Sequence, residues 1–232
     1  MASVLCLETS TAVCSVAVSV NGVVVFEKTV MEGPSHAALL GVFVEEAQAA
    51  CGGANWRPDA VAVGGGPGSY TGLRISTAMA KGLCMGWDIP LIAVPTLEIM
   101  ASEAIRRHPA DDCLYCAMLD ARRMEVYAAV YDRTLASVRA TQAEIVTPET
   151  YRSLLRNRTV CFFGNGAAKC RTVIPPENAL FIDDIHPLAA EMAPLVEKAF
   201  AAGRFENVAY FEPFYLKEFI ATVPKNKVLT RS

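Results

Sequence analysis

Histidine is scarce in this chain, and its scarcity narrows the chemistry. Three are present in 232 residues, His36, His108 and His186. None has a second histidine four residues on or a cysteine pair beside it, so the spacing of a metal centre is missing and no metal ligand is expected. No apolar run is long enough to cross a bilayer, and no basic stretch precedes the first strand-like segment, Val4 to Leu7. Neither a membrane span nor a leader is therefore expected, and the cytoplasm is the expected compartment. No lysine follows the glycine cluster at 64–68 until Lys81, which excludes a phosphate-binding P-loop. Ser69 stands where a dinucleotide fingerprint needs its third glycine, and it is not framed as Gly-x-Ser-x-Gly, so neither that fingerprint nor a nucleophile elbow is present. Cys113 and Cys116 lack a second pair of ligands, and residues three apart on a strand face opposite ways, so both are read as structural. Short-period repeats and low-complexity segments are absent.

What is there is a core. Apolar residues make up 53% of the chain and charged residues 19%, the balance of a compact protein large enough for one or two domains. The eight cysteines are scattered through apolar segments, which suits a reducing compartment where cysteine acts as a small hydrophobe. Net charge is −3, unevenly spread: residues 1–105 hold 4 basic and 9 acidic groups, residues 106–213 hold 13 and 14, and residues 214–232 hold 4 and 1. A self-sufficient nucleic-acid binder presents a basic face, so any RNA contact would be local or shared with a partner. Lys217, Lys225, Lys227 and Arg231 in the basic tail could supply one, although such tails commonly stay solvated.

The stretch from Val61 to Gly86 organises the rest. It reads as a short strand, a turn holding Gly64, Gly65, Gly66, Pro67 and Gly68, and a helix from about Thr71 whose buried side carries Ile75, Met79 and Leu83. Free N–H groups at that helix start could hold an anion. Equally, the glycines could let two backbones approach closely, the default reading when no named motif fits.

Ahead of it, Val4 to Leu7 is a buried strand, Glu8 to Thr11 a polar turn, and Val16, Val18 and Val20 share a face of a second strand. Asn21-Gly22 closes a tight hairpin onto Val23 to Thr29. A helix from Ser35 or His36 to about Ala50 carries Leu39, Leu40, Phe43, Val44 and Ala47 as one stripe. Beyond the glycine turn come a strand at Leu91 to Val94 and a helix after Pro95 capped by Thr96. The order βββαβαβα then ends near Arg106, and His108 to Asp111 reads as a boundary. A degenerate second copy follows: strands at Leu114 to Leu119, Glu125 to Tyr131, near Glu144 to Val146 and at Val160 to Phe163, a helix from Pro148, a turn at Gly164-Asn165-Gly166 and a long helix from Pro187 to Ala202. The charged turn Asp120, Ala121, Arg122, Arg123 lies between two of these strands.

Leu7-Glu8-Thr9-Ser10, the run Gly66-Pro67-Gly68-Ser69-Tyr70-Thr71-Gly72-Leu73-Arg74, and Asp120-Ala121-Arg122-Arg123 resemble the TsaB, or YeaZ, family. So do Gly164-Asn165-Gly166 and the late Pro213-Phe214-Tyr215-Leu216-Lys217, so that the likeness runs essentially end to end. Tyr70 stands where that family usually has phenylalanine, and Met124 where glycine is common. The resemblance implies an actin-like ATPase (ASKHA) fold: two ribonuclease-H-like α/β domains with mixed sheets, residues 1–105 and 106–213, the second degenerate. It further implies a bacterial protein required for threonylcarbamoyladenosine beside the tRNA anticodon, with no catalytic residue of its own. A related subunit, TsaD, makes the transfer and pairs with this family through N-terminal helices. A similar surface forms homodimers, TsaE supplies an ATPase, and tRNA is reached through the complex. The TsaD family has acidic residues after its Glu-Thr-Ser and a His-x-x-x-His pair. Here Thr11 and Ala12 follow Ser10, and Leu40 replaces the histidine that would partner His36, so no cofactor is expected on this chain alone, with ATP or ADP left to the junction of the complex. Leu40, Phe43, Ala78 and Met79 are expected on an exposed apolar face used in pairing. The rival readings are a metalloprotease-like or ATP-dependent enzyme of the same fold, such as a sugar kinase, and a tRNA-binding module acting through Lys225 to Arg231.

Overall fold

The computed structural model describes residues 2–32 and 36–216; the charged tail residues Lys217, Lys225, Lys227 and Arg231 lie outside them. Among the described residues ten strands form two five-stranded sheets. The first contains β1 (Ser3–Glu8), β2 (Cys14–Val20), β3 (Val23–Val30), β4 (Ala60–Gly64) and β5 (Leu91–Val94), in the order β3-β2-β1-β4-β5. The second contains β6 (Cys113–Asp120), β7 (Glu125–Tyr131), β8 (Ser137–Ile145), β9 (Thr159–Phe163) and β10 (Ala179–Ile182), in the order β10-β9-β6-β7-β8. The topology is one plan used twice. In each sheet the first three strands are antiparallel and the others join parallel to the first. This is the ribonuclease-H-like pairing of the actin-like ATPase fold.

The central strands are buried on both faces, so they read as unbroken apolar runs. Leu5, Leu7, Val16, Val18, Val61 and Val63 face α1 (His36–Cys51) and α2 (Tyr70–Trp87). Asn21 and Gly22 both take positive φ, 51° and 75°, as the tight hairpin requires. Cys113 and Cys116 fall on opposite sides of the second sheet, in separate apolar clusters, and all eight cysteines are free thiols.

The helices do not stay with the strands they follow. α3 (Thr96–Arg107) succeeds β5, yet Leu97, Met100, Ala101 and Ala104 pack on the second sheet, while Ile99 packs on the first. Apolar contact on both sides leaves almost no solvent-facing side to α3 before its last turn. The other face of the first sheet is covered from the far end of the chain. A 3-10 turn (Ala189–Met192) and α6 (Ala193–Ala201) bring Ala189, Met192, Leu195 and Val196 against Val4, Cys6, Ala62 and Ile92. Polar contacts pin this crossing: Ala189 N–H donates to Ser15 Oγ at 3.1 Å, Arg106 pairs with Glu191 at 2.5 Å, and Glu103 accepts from His186 N–H at 2.8 Å and from Arg107 at 3.1 Å.

Several sequence expectations are corrected. The buried side of α2 is Gly72, Leu73, Ser76, Thr77, Ala80 and Cys84; Ile75, Met79 and Leu83 flank the core half-buried. Thr96 does not cap α3: Pro95 holds the cap position, and Thr96 is the first helical residue with a buried, unpartnered hydroxyl. The helix foreseen from Pro187 to Ala202 is broken, because Pro194 has no N–H to continue an α-helix from upstream. The third strand of the second sheet starts at Ser137, and the helix foreseen from Pro148 is a single turn, α4 (Arg152–Leu155). A further single turn, α5 (Ala167–Cys170), and β10 were not foreseen.

Met192 is fully buried where the late segment meets the first sheet. Met192→Ala should lower the unfolding free energy by about 2–5 kcal/mol. The check is urea denaturation followed by the fluorescence of Trp56 and Trp87, both packed on the first sheet.

Candidate functional site

The run from Gly64 to Gly72 is a junction of backbones. Gly65 N–H donates to Val94 O at 2.7 Å, and Gly65 O accepts from Phe214 N–H at 2.8 Å. Gly66 has φ +97°, and a Cβ there would meet Phe214 O at 2.7 Å; its carbonyl accepts from Thr96 N–H at 2.9 Å. Ser69 N–H donates to Ser10 O at 2.6 Å, while Ser69 Oγ caps α2 by accepting from Gly72 N–H at 3.3 Å. A Cβ on Gly68 or Gly72 would overlap the carbonyl of Ser10 or Thr9. Several N–H groups that an anion would need are therefore already bonded. Of the two readings of the glycines, close packing is the one the geometry bears out.

This junction forms one wall of a cleft of about 830 Å³ between the lobes. Gly68, Ser69, Tyr70 and Thr71 line it with Ser10, Thr11 and His36; Asp120, Arg122, Tyr127 and Asn165 line the other side, and Phe214, Tyr215 and Leu216 close its edge. Asp120 is ion-paired with Lys169, and its N–H donates to Asn165 Oδ1 at 2.8 Å. Burial works to raise its carboxyl, but the Lys169 bond and the N–H of Arg122 outweigh that and hold it below the usual carboxylate range. Arg122 and Arg123 take positive φ, 73° and 51°, although neither is glycine. Thus Gly68, Ser69, Tyr70 and Thr71 meet Asp120 and Arg122 across the cleft, whereas Gly66, Pro67, Gly72, Arg74 and Arg123 stand behind or outside it.

The late strap from Gly203 to Leu216 locks onto the same junction. Lys81 Nζ donates to Ala209 O at 3.0 Å and Phe211 O at 3.2 Å. The Tyr70 and Tyr215 rings lie 5.1 Å apart, with the Arg74 guanidinium 5.0 Å from the Tyr70 ring. Tyr127 and the structural role of the strap were not singled out from the sequence; the aromatic run from Tyr210 to Tyr215 is the signal that could have found the strap.

Of two titratable groups at this wall, His36 lines the cleft and Glu8 lies behind it. Glu8, fully buried at the end of β1, is raised to about 7 by desolvation, against the bonds it receives from Ser10 and Thr9. His36 Nε2–H donates to Thr11 O at 2.9 Å. Leu40, one turn on, is fully buried, so that position offers nothing to a cation beside His36. Among the described residues no three His, Cys, Asp or Glu side chains converge as metal ligands.

The expected pairing face needs correcting. Leu40 and Phe43 are buried, 0% and 4% exposed, because the stripe Leu40, Phe43, Val44, Ala47 faces the first sheet. One stripe cannot serve both core and partner. Ala78 is exposed and Met79 half-buried. The outer face instead presents Ala38, Val42, Glu45 and Ala49 on α1 with Ala78, Gly82, Met85 and Gly86 on α2. Val42 is 48% and Met85 74% exposed.

The family model for TsaD, described as tRNA N6-adenosine threonylcarbamoyltransferase, matches residues 32–218. The tRNA threonylcarbamoyladenosine biosynthesis protein TsaB of Escherichia coli K12 is 32% identical over 227 residues, covering 94% of this chain and 96% of its own. The protein of that name from Haemophilus influenzae is 30% identical over 229 residues, 93% of each chain. Among solved structures, YeaZ from Pseudomonas aeruginosa superposes with a TM-score of 0.78 at 27% identity, covering 93% of this chain and all of that one.

Two glycines of one helix should respond to alanine with opposite signs. Gly82 faces open space, so Gly82→Ala should stabilise by about 1 kcal/mol through helix propensity. At Gly72 the same gain is outweighed by the clash with Thr9 O, and Gly72→Ala should destabilise by roughly 1–3 kcal/mol. Thermal and urea unfolding of the two variants check the pair.

Proposed function

Because the chain belongs to the TsaB family and so serves tRNA threonylcarbamoyladenosine biosynthesis, we propose that it does so as a non-catalytic subunit. It docks a TsaD-type transferase on the outer face of α1 and α2. The observation that carries this reading is that face itself, small and apolar apart from Glu45, with no Cβ on Gly82 or Gly86 and two exposed large apolar side chains, Val42 and Met85. Small residues let a partner helix approach closely, and the two larger ones supply the buried apolar area of an interface core. A second copy of this chain would compete for the same face, and tRNA and TsaE would meet the subunit only within the assembled complex.

The non-catalytic part of the proposal draws on the cleft. The amides of Gly65 and Ser69 are bonded to the chain's own carbonyls and that of Gly72 to Ser69 Oγ, Asp120 is taken by Lys169, and His36 holds Thr11 beside a leucine in the core. Any ATP or ADP would therefore be held with residues of the transferase at the junction. The enzyme alternatives would need to recruit groups that are already bonded within the fold.

Val42→Glu combined with Met85→Glu places two charges on the docking face. Surface changes of this kind usually alter stability by within about 0.5 kcal/mol. The double variant should stay folded by circular dichroism yet fail to co-elute with purified TsaD. Added to a reconstituted modification reaction, it should give no more modified tRNA than the reaction lacking this chain. Normal co-elution would overturn the placement, and stoichiometric metal with sustained ATP turnover by the pure chain would overturn the non-catalytic assignment.

A further inference from the structure

The outer face of α1 and α2 carries a carboxylate in a field of apolar and bare positions. The exposed stripe of α1 runs Ala38, Val42, Glu45, Ala49, which is the spacing of one helical face. Glu45 stands inside that stripe, between a valine and an alanine. The opposite stripe is given to the core, and Gly41 sets α1 against α2 at Met79. While the face is in water the charge costs nothing. Once a partner covers it, a carboxylate with no cation opposite is strongly unfavourable.

The chain holds no cation in reserve for it. α1 contains neither lysine nor arginine, and α2 contains only Arg74 and Lys81. Arg74 lies over the Tyr70 ring, and Lys81 is held by the strap carbonyls of Ala209 and Phe211. Lys28, on the neighbouring strand, pairs with Glu46 at 2.9 Å and lies over the Phe43 ring. Arg57 donates to the carbonyls of Ala54 and Trp56 and covers the Trp87 ring. Among the described residues Glu45 itself is in no ion pair.

This inventory discriminates between partners. When two copies close on each other through one patch, the same face meets itself. Near the two-fold axis Glu45 would meet its counterpart, like charge on like. Away from the axis it would meet only the apolar and glycine positions of the face, none of which carries a cation. A different chain with a lysine or arginine at that place is under no such restriction.

We propose that Glu45 is the specificity determinant of the docking face: it takes a lysine or arginine from the TsaD-type transferase, and by the same charge it disfavours a second copy of this chain. The proposal rests on the docking reading above. Selection of this kind works through repulsion as much as attraction. The mixed pair gains a charge-assisted hydrogen bond, whereas the self pair must bury a carboxylate that nothing answers.

The experiment compares wild type with Glu45→Gln, which keeps the size of the side chain and removes its charge at an exposed helical position; circular dichroism checks that the fold is unchanged. In sedimentation of the pure chain, Glu45→Gln should self-associate at least about tenfold more tightly than wild type, and in titration with purified TsaD it should bind at least about tenfold more weakly. The weakening of the wild-type complex as salt is raised should be blunted in the variant. Glu45→Lys, which sets like charges together, should lower TsaD binding further. A Glu45→Gln chain that binds TsaD as wild type does, or that self-associates no more readily, overturns the proposal. The docking face survives that outcome if Val42→Glu with Met85→Glu still abolishes capture. Wild type that does not bind TsaD overturns the docking reading and this proposal with it.

Discussion

Two backbones meet with no side chains between them where Gly68 and Gly72 lie against Ser10 and Thr9, and the rest of the first lobe is arranged around that approach. It sets α2 close to the central strands, and beside Leu73 and Cys84 the small groups Gly72, Ser76, Thr77 and Ala80 form most of the buried side. It also commits the turn's hydrogen bonds to partners within the chain, which turns a sequence that looks like an anion cradle into a structural joint. The strap answers from the other side, with Phe214 bonded to Gly65 and Tyr215 beside Tyr70. Strand, helix start and late strap therefore share one point of attachment.

A joint of that kind fits the docking role proposed above for this ATPase-type frame. The cleft is retained as the geometric consequence of two like sheets facing each other, and its walls are stitched by internal bonds such as Asp120 to Lys169 and His36 to Thr11. What is left free is the far side of α1 and α2. The docking face proposed above lies on the back of the same helices whose starts the joint holds.

Much of this was legible in the sequence, and the failures have physical reasons. Asn21-Gly22 announced its hairpin because a two-residue turn needs positive φ at both positions, and few residue pairs supply it. The β4–turn–α2 unit and the split into two strand-rich halves followed from periodicity and breakers. The face of α2 was misread because periodicity weighs hydrophobicity and not size: Ile75, Met79 and Leu83 are apolar and flank the core, but the close approach at Gly72 turns Leu73 and the small residues Ser76, Thr77 and Ala80 inward. Ser137–Ile145 carries serine, arginine, threonine, glutamine and glutamate because it is a half-exposed edge strand, so polarity hid its first half. Of the motif residues quoted in advance, Gly68 to Thr71, Asp120 and Arg122 line the cleft and the others do not, and the burial of Leu40 and Phe43 was not foreseen, since a helical stripe does not announce which neighbour it faces. The crossing of α6 to the first sheet left no local signal at all.

That crossing has a bearing on how the polypeptide is made. The strands of the first sheet are complete by Val94, but the layer that covers Val4, Cys6, Ala62 and Ile92 arrives only with Met192 to Val196. During synthesis at about 5–20 residues per second, the N-terminal half thus waits several seconds with most of one apolar face uncovered, Ile99 of α3 being the one early contact there. The core of the first lobe is closed by one of the last segments to be made, so a truncated message leaves that face open.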